Sequence, residues 1–164
     1  MLRRAFALAV ALSLAGCATT PVAHPEARAF SATADAPVQL AAARERSVAS
    51  GKPLLLVLGA DWCHDSRALA GWFETPLFRE LMAANFELLF VDVGRPQTGE
   101  GRNQDIARSF GIAEMKSTPA LLVVATDGKV LNADSATTWG NAASRSEDAI
   151  YRDLARFAVR SPAG

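Results

Sequence analysis

The sequence predicts an α/β domain in which helices flank a mixed central β-sheet. Three observations point to it. Residues 54–58 are an unbroken apolar run with turn signals on both sides, as in a strand buried on both faces beneath helices. Segments of helical period alternate with short strand-like runs, the order expected of layered α/β folds. Near the end, Asp127-Gly128 separates two apolar stretches as a hairpin turn, so the last strand pair is antiparallel.

Each element has its own local signal. Residues 37–50 place Val38, Ala41, Ala42 and Glu45 at helical spacing, and Gly51-Lys52-Pro53 ends that helix. The first strand runs into Gly59-Ala60-Asp61-Trp62-Cys63, and a helix follows over 64–74 with Ala68, Leu69, Trp72 and Phe73 on one face. Thr75-Pro76 reads as the N-cap and first residue of another helix, ending near Asn85. Residues 86–93 form the second strand, 94–102 a polar loop, and 103–110 a short helix with Ile106, Ala107 and Phe110 turned inward. Residues 120–125 are the third strand, 129–131 its antiparallel return, and 132–143 an irregular loop. Ser144-Arg145-Ser146-Glu147 fits a capping box for a final helix reaching about Val159.

Bulk composition narrows the function. With 164 residues the chain is sized for one domain, and 50% apolar against 21% charged residues is the balance of a globular protein rather than a disordered one. A formal net charge of zero gives no basic surplus for nucleic acid.

The first residues read as an address. Arg3 and Arg4 precede an uncharged run over 5–15, the length of a signal-peptide core and too short to span a bilayer. The run ends in Leu14-Ala15-Gly16-Cys17, which resembles the bacterial lipoprotein signal. That resemblance implies cleavage before Cys17 and acylation of Cys17, with about 0.8 kcal/mol of anchoring per buried methylene. Ala18 after the cysteine resembles the pattern permitting export to the outer membrane, so the expected location is the cell envelope, facing the periplasm. An ordinary cleaved signal with a chance cysteine, or a transmembrane stub, is the alternative. Residues 17–37, rich in Ala, Thr, Pro and Ser, are expected to be a flexible tether, with the folded domain occupying 38–160.

Trp62-Cys63-His64-Asp65-Ser66 sits where the first strand gives way to a helix, and Ser117-Thr118-Pro119 just before the third strand. Together with Gly51-Lys52-Pro53 and the element order, these resemble the thioredoxin superfamily over about residues 38–159. A cysteine at a helix N-terminus faces unpaired N–H groups and the positive end of the helix dipole, and both favour the nucleophilic thiolate. The resemblance further implies a cis peptide bond at Pro119, packed against the cysteine, and a Thr118 backbone that pairs with an extended substrate. Trp62 and His64 would flank the client and shape the thiolate.

The chain departs from the family where a second cysteine is expected: Ser66 stands there. The acid that the family often places six residues before the first cysteine is here Val57. With Cys17 acylated, no internal catalytic disulfide can form. Monothiol exchange through Cys63 remains, with Ser66 hydrogen-bonding the sulfur and an external thiol releasing the mixed disulfide. The implied partners are cysteine-containing envelope proteins or a low-molecular-weight thiol, with no cofactor.

Blander interpretations stand beside these. Cys63 can be a small buried core residue, in which case the domain is a non-enzymatic peptide- or protein-binding module without redox turnover. Asp61 and Asp65 most simply favour the helix dipole. Trp72 and Phe73 are core residues, and Trp139 anchors the 132–143 loop. No metal is expected: Cys63, His64 and Asp65 are poorly spaced ligands, and the only other histidine, His24, falls in the tether.

Overall fold

A computed structural model describes residues 24–158, so residues 1–23, including the signal sequence and Cys17, and residues 159–164 lie outside the described part. The elements run α1 (Ala36–Ser50), β1 (Leu54–Gly59), α2 (His64–Phe73), α3 (Pro76–Asn85), β2 (Glu87–Asp92), β3 (Gly94–Arg95), β4 (Glu100–Gly101), α4 (Gln104–Ser109), β5 (Ala120–Val124) and α5 (Glu147–Ala155), with 3₁₀ turns at Pro96–Thr98 and Ala142–Ser144.

The main sheet has the order β2-β1-β5: β1 is parallel to β2 and antiparallel to β5, with Leu56 paired to Leu89 on one side and Leu122 on the other. Every residue of β1 is buried, because alternate side chains enter two separate cores. Leu55 and Val57, with Leu121 and Val123, pack against Leu69, Phe73, Phe78, Ile150 and Leu154 from α2, α3 and α5. Leu54, Leu56 and Leu58 pack against Ala36 and Ala43 of α1 and Ile106 of α4. The result is a thioredoxin-like α/β fold, a mixed sheet flanked by helices on both faces. No helix among the described residues is long and apolar enough to cross a membrane.

Several boundaries differ from the sequence expectation, each for a local reason. Helix α1 starts at Ala36, because the Asp35 side chain accepts from Val38 N–H as its N-cap. Helix α5 is capped by Ser146, whose side chain accepts from Ala149 N–H, while Ser144 ends the preceding 3₁₀ turn; the helix stops at Ala155. The polar loop after β2 contains a small hairpin, with Gly94 paired to Gly101 and Arg95 to Glu100.

The return after Asp127-Gly128 is antiparallel as expected and short: one bridge, Val124 to Val130, with Ala125 N donating to Lys129 O and Leu131 N to Val123 O. Its continuation is made by a side chain. Asn132 is buried; its Nδ2 donates to Leu121 O at 2.9 Å and its Oδ1 accepts from Val123 N at 2.7 Å. Leu121 N donates to Ala136 O, so these outer-edge groups of β5 are satisfied without a strand partner.

The largest correction concerns the tether. Residues 24–35 lie along the domain as a strap, and Phe30 is only 4% exposed, inside the core between sheet and helices. The folded part therefore begins well before Val38. Two glycines make the room: a Cβ on Gly71 would strike the backbone of Pro25, and one on Gly59 would come within 2.7 Å of the Phe30 ring.

Candidate active site

The chain leaves β1 at Gly59 and turns through Ala60, Asp61 and Trp62, with Cys63 N donating back to Ala60 O at 3.0 Å. That turn sets Cys63, in extended conformation at φ −82° and ψ 124°, as the N-cap of α2. Its Sγ–H donates to Thr118 O at 3.2 Å. The Thr118–Pro119 peptide bond is cis, the geometry the family resemblance implies. Cys63 is buried, at 8% exposure.

Ser66, one turn along α2, is fully buried, and its Oγ accepts from Ala60 N at 3.3 Å. Among the described residues it makes no hydrogen bond to Cys63. Its oxygen instead ties the helix to the end of β1, which corrects the expectation that it supports the sulfur. Val57 lies fully buried in the core below, with no acid in its place.

Trp62 remains 43% exposed but is fixed: Nε1 donates to Gly94 O at 2.8 Å, and the Arg95 guanidinium sits 4.6 Å from its ring centre. The β3–β4 hairpin thus builds one wall of an open groove of about 580 Å³, bounded by Phe30, Asp61, Trp62, Asp92, Arg95 and Arg102. Arg102 is paired with Asp92 across it at 3.2 Å. Trp139 is buried in its loop and covered by Arg145, 4.3 Å from the ring centre.

His64 does not attend the sulfur; its Nε2 lies 3.3 Å from Glu26 Oε1 of the strap, and its ring meets His24 edge-on at 4.7 Å. Placing His24 beside His64 overturns the premise that the two histidines are remote. The two acids of the motif hold distant chain rather than only the helix dipole. Asp61 Oδ1 accepts from Ala29 N and Phe30 N, and Asp65 Oδ1 accepts from Ala143 N at 2.9 Å.

Arg67 organises this region, and sequence reasoning passed over it. Its Nη1 donates to the carbonyl oxygens of Asp61 and Trp62 at 3.1 Å each, and its Nε donates to Glu26 Oε2 at 2.9 Å. Its own carbonyl accepts from Ala27 N at 3.1 Å. The Arg67 hydrogen bond lowers the Glu26 carboxyl below its ordinary value, assisted by the charges of Arg67, His64 and His24. A single guanidinium therefore braces both the turn that presents Cys63 and the strap beside it.

A sulfur at the amino end of a helix, set against a cis-prolyl turn at the head of an antiparallel strand, defines a thioredoxin-fold site. Residues 33–126 match the family model described as Thioredoxin-like, and the chain belongs to that family. Its structure is similar to that of a disulphide isomerase from Xylella fastidiosa Temecula1, with 33% identity, a TM-score of 0.70, and coverage of 77% of this chain and 93% of that one. A more distant likeness is to the C-terminal domain of Neisseria meningitidis DsbD in its oxidised form (24% identity, TM-score 0.44, 68% of this chain and 97% of that one). The reduced form gives 23% identity and a TM-score of 0.43 over 71% of this chain and 99% of that one. None of the curated proteins compared with the sequence matches it significantly.

Proposed function

We propose that the protein performs monothiol thiol–disulfide exchange through Cys63, on cysteine-containing proteins or small thiols of the cell envelope. The observation that carries this is the placement of Cys63 as the N-cap residue of α2, with its Sγ 3.2 Å from the Thr118 carbonyl of the cis-prolyl turn. A similar structure bearing the name disulphide isomerase supports the same chemistry.

In the forward step Cys63 loses its proton to solvent and its thiolate attacks one sulfur of a client disulfide. A Cys63–client S–S bond forms, the client S–S bond breaks, and the departing sulfur leaves as thiolate. Once ionised, the sulfur no longer donates to Thr118 O, and that carbonyl is free to accept from an extended client backbone. The negative sulfur then sits on the N-cap residue of α2, at the positive end of the helix dipole. Ser66 cannot displace the client, so release requires attack on the mixed disulfide by a second client thiol or a low-molecular-weight thiol. No net electrons move when the client's own thiol completes the cycle, which is isomerisation.

In this reading the domain is held at the membrane through acylated Cys17 and faces the periplasm, with Ala18 directing it to the outer membrane. The support is the Leu14-Ala15-Gly16-Cys17 box. A second reading, a peptide-binding domain without turnover, is favoured by the burial of Cys63.

The deciding experiment incubates the full-length chain with glutathione disulfide under native conditions and maps adducts by peptide mass spectrometry. Exchange predicts glutathione on Cys63 that a second thiol removes. If Cys63 gains no adduct in the folded chain but does so once the chain is unfolded, the exchange reading fails and the binding reading takes its place.

A further inference from the structure

We propose that His24, Glu26 and His64 form a binding site for a borderline divalent transition-metal ion of the zinc type, clasping the strap to the first turn of α2. One ligand atom from each of the three lies within 4.8 Å of the others. This inference does not depend on exchange at Cys63 and would stand if Cys63 were inert.

Two of the three donors already have orienting contacts. His24 Nδ1 lies 3.3 Å from Pro25 O, so the proton on that nitrogen has an acceptor and the lone pair remains on Nε2. Glu26 is held by Oε2, which accepts from Arg67 Nε at 2.9 Å, leaving Oε1 turned toward His64 Nε2 at 3.3 Å. These are the orienting contacts that ligands of a metal site commonly have: a backbone carbonyl for the imidazole and a fixed partner for the carboxylate. An ordinary ion pair accounts for Glu26 and His64, but it gives no reason for a second imidazole to stand edge-on to the first at 4.7 Å.

The donor set selects the ion. Two imidazole nitrogens and one carboxylate oxygen suit zinc, copper or nickel, whereas magnesium and calcium take oxygen ligands. Metal–ligand bonds of about 2.0–2.2 Å bring two ligand atoms on one ion to within roughly 4 Å of each other. Tetrahedral bonds of that length set ligand atoms roughly 3.4 Å apart, so closing from a spacing of up to 4.8 Å takes about 1.4 Å of movement shared among the donors, of which His64 is 58% and Glu26 40% exposed. The remaining position is open to water. Arg67 opposes the ion by its charge but withholds only one carboxylate oxygen. Because His24 and Glu26 belong to the strap and His64 to α2, a bound ion would fasten the segment carrying Phe30 to the turn that carries Cys63.

The test is calorimetric titration of the untagged full-length chain in detergent with zinc chloride, and separately with magnesium chloride. The expected result is one zinc per chain, no magnesium binding, and at least a roughly tenfold loss of zinc affinity in each of His24→Ala, Glu26→Gln and His64→Ala. Cys63→Ala is expected to leave zinc binding unchanged. Hydrogen exchange on the same samples checks that the variants stay folded and is expected to show slower exchange over residues 24–30 with zinc present. The proposal is overturned by an absence of saturable zinc binding, by binding that survives His24→Ala, or by binding that Cys63→Ala abolishes.

Discussion

Phe30 hangs from Asp61: the backbone N–H of Phe30 donates to Asp61 Oδ1 at 3.1 Å, and the preceding amide of Ala29 donates to the same oxygen at 3.1 Å. Asp61 stands two residues before Cys63, so the turn presenting the sulfur and the strap lying over the domain share one carboxylate. Holding the strap therefore also holds the turn.

Replacing Asp61 with Ala removes the acceptor of both amides. Hydrogen bonds to a charged group contribute about 1.5–3 kcal/mol, so the strap should open far more often. Hydrogen exchange is expected to accelerate at Ala29 and Phe30 while the amides of β1 and β5 keep their protection. Unchanged exchange at these two amides would mean that the strap is held by other contacts.

Phe30→Ala tests how much of the strap's contribution passes through one ring. Burial at 4% exposure puts the intrinsic cost at about 3–5 kcal/mol. The strap can also detach without global unfolding, and that limits the measured loss to its docking free energy. Urea unfolding should place Phe30→Ala close to a chain that begins at Ala34, which keeps the Asp35 cap of α1. If the shortened chain is as stable as the whole one, Phe30 contributes nothing to the folded domain.

The parts of the structure legible in the sequence are those set by neighbouring residues. An unbroken apolar run between turn signals identified β1, and Thr75-Pro76 identified the start of α3. Trp62-Cys63 at a strand-to-helix junction put the sulfur at a helix start. What stayed hidden depends on residues far apart in the chain. Asp65 looks like a helix-dipole residue until Ala143, 78 positions on, is seen to donate to it. Residues 24–35 look like a linker because they lack periodicity, and the signal that was present, a lone Phe30 among small residues, gains meaning only with Gly59 and Gly71 beneath the strap. Ser66 looks like a partner of the sulfur by its place in the motif, whereas its oxygen is occupied by Ala60 N–H. The antiparallel return at 129–131 is legible from Asp127-Gly128, but nothing local reveals that the Asn132 side chain takes over from backbone after it.

Arg95→Ala should loosen Trp62 without unfolding the domain. A guanidinium stacked on an exposed indole contributes about 0.5–1 kcal/mol, and its aliphatic stem also shields the ring. The expected readout is stronger acrylamide quenching of tryptophan fluorescence, with the increase absent when Trp62→Phe is added. Trp72 and Trp139 then report the background. Equal quenching with and without Arg95 would show that the β3–β4 hairpin does not cover Trp62 in solution.

Ser66→Cys asks whether the site is a dithiol site lacking only one sulfur. Positions 63 and 66 lie one turn apart at the start of α2, where side chains at that spacing share a face with Cβ atoms about 5–6 Å apart in a regular helix. Cys63, as the N-cap, stands outside that regular geometry with extended backbone angles, which lets its Sγ turn toward residue 66. The exchange costs the buried Ala60 amide its oxygen acceptor, a loss of about 1–3 kcal/mol. On mild oxidation the variant should form a disulfide between Cys63 and the introduced thiol, detected as a linked peptide by mass spectrometry. It should also reduce a disulfide substrate in the presence of dithiothreitol. Cys63→Ala added to it should abolish both. If the two thiols stay free under oxidant while each can be alkylated, then the geometry around α2 has moved away from dithiol chemistry, and restoring one atom does not restore it.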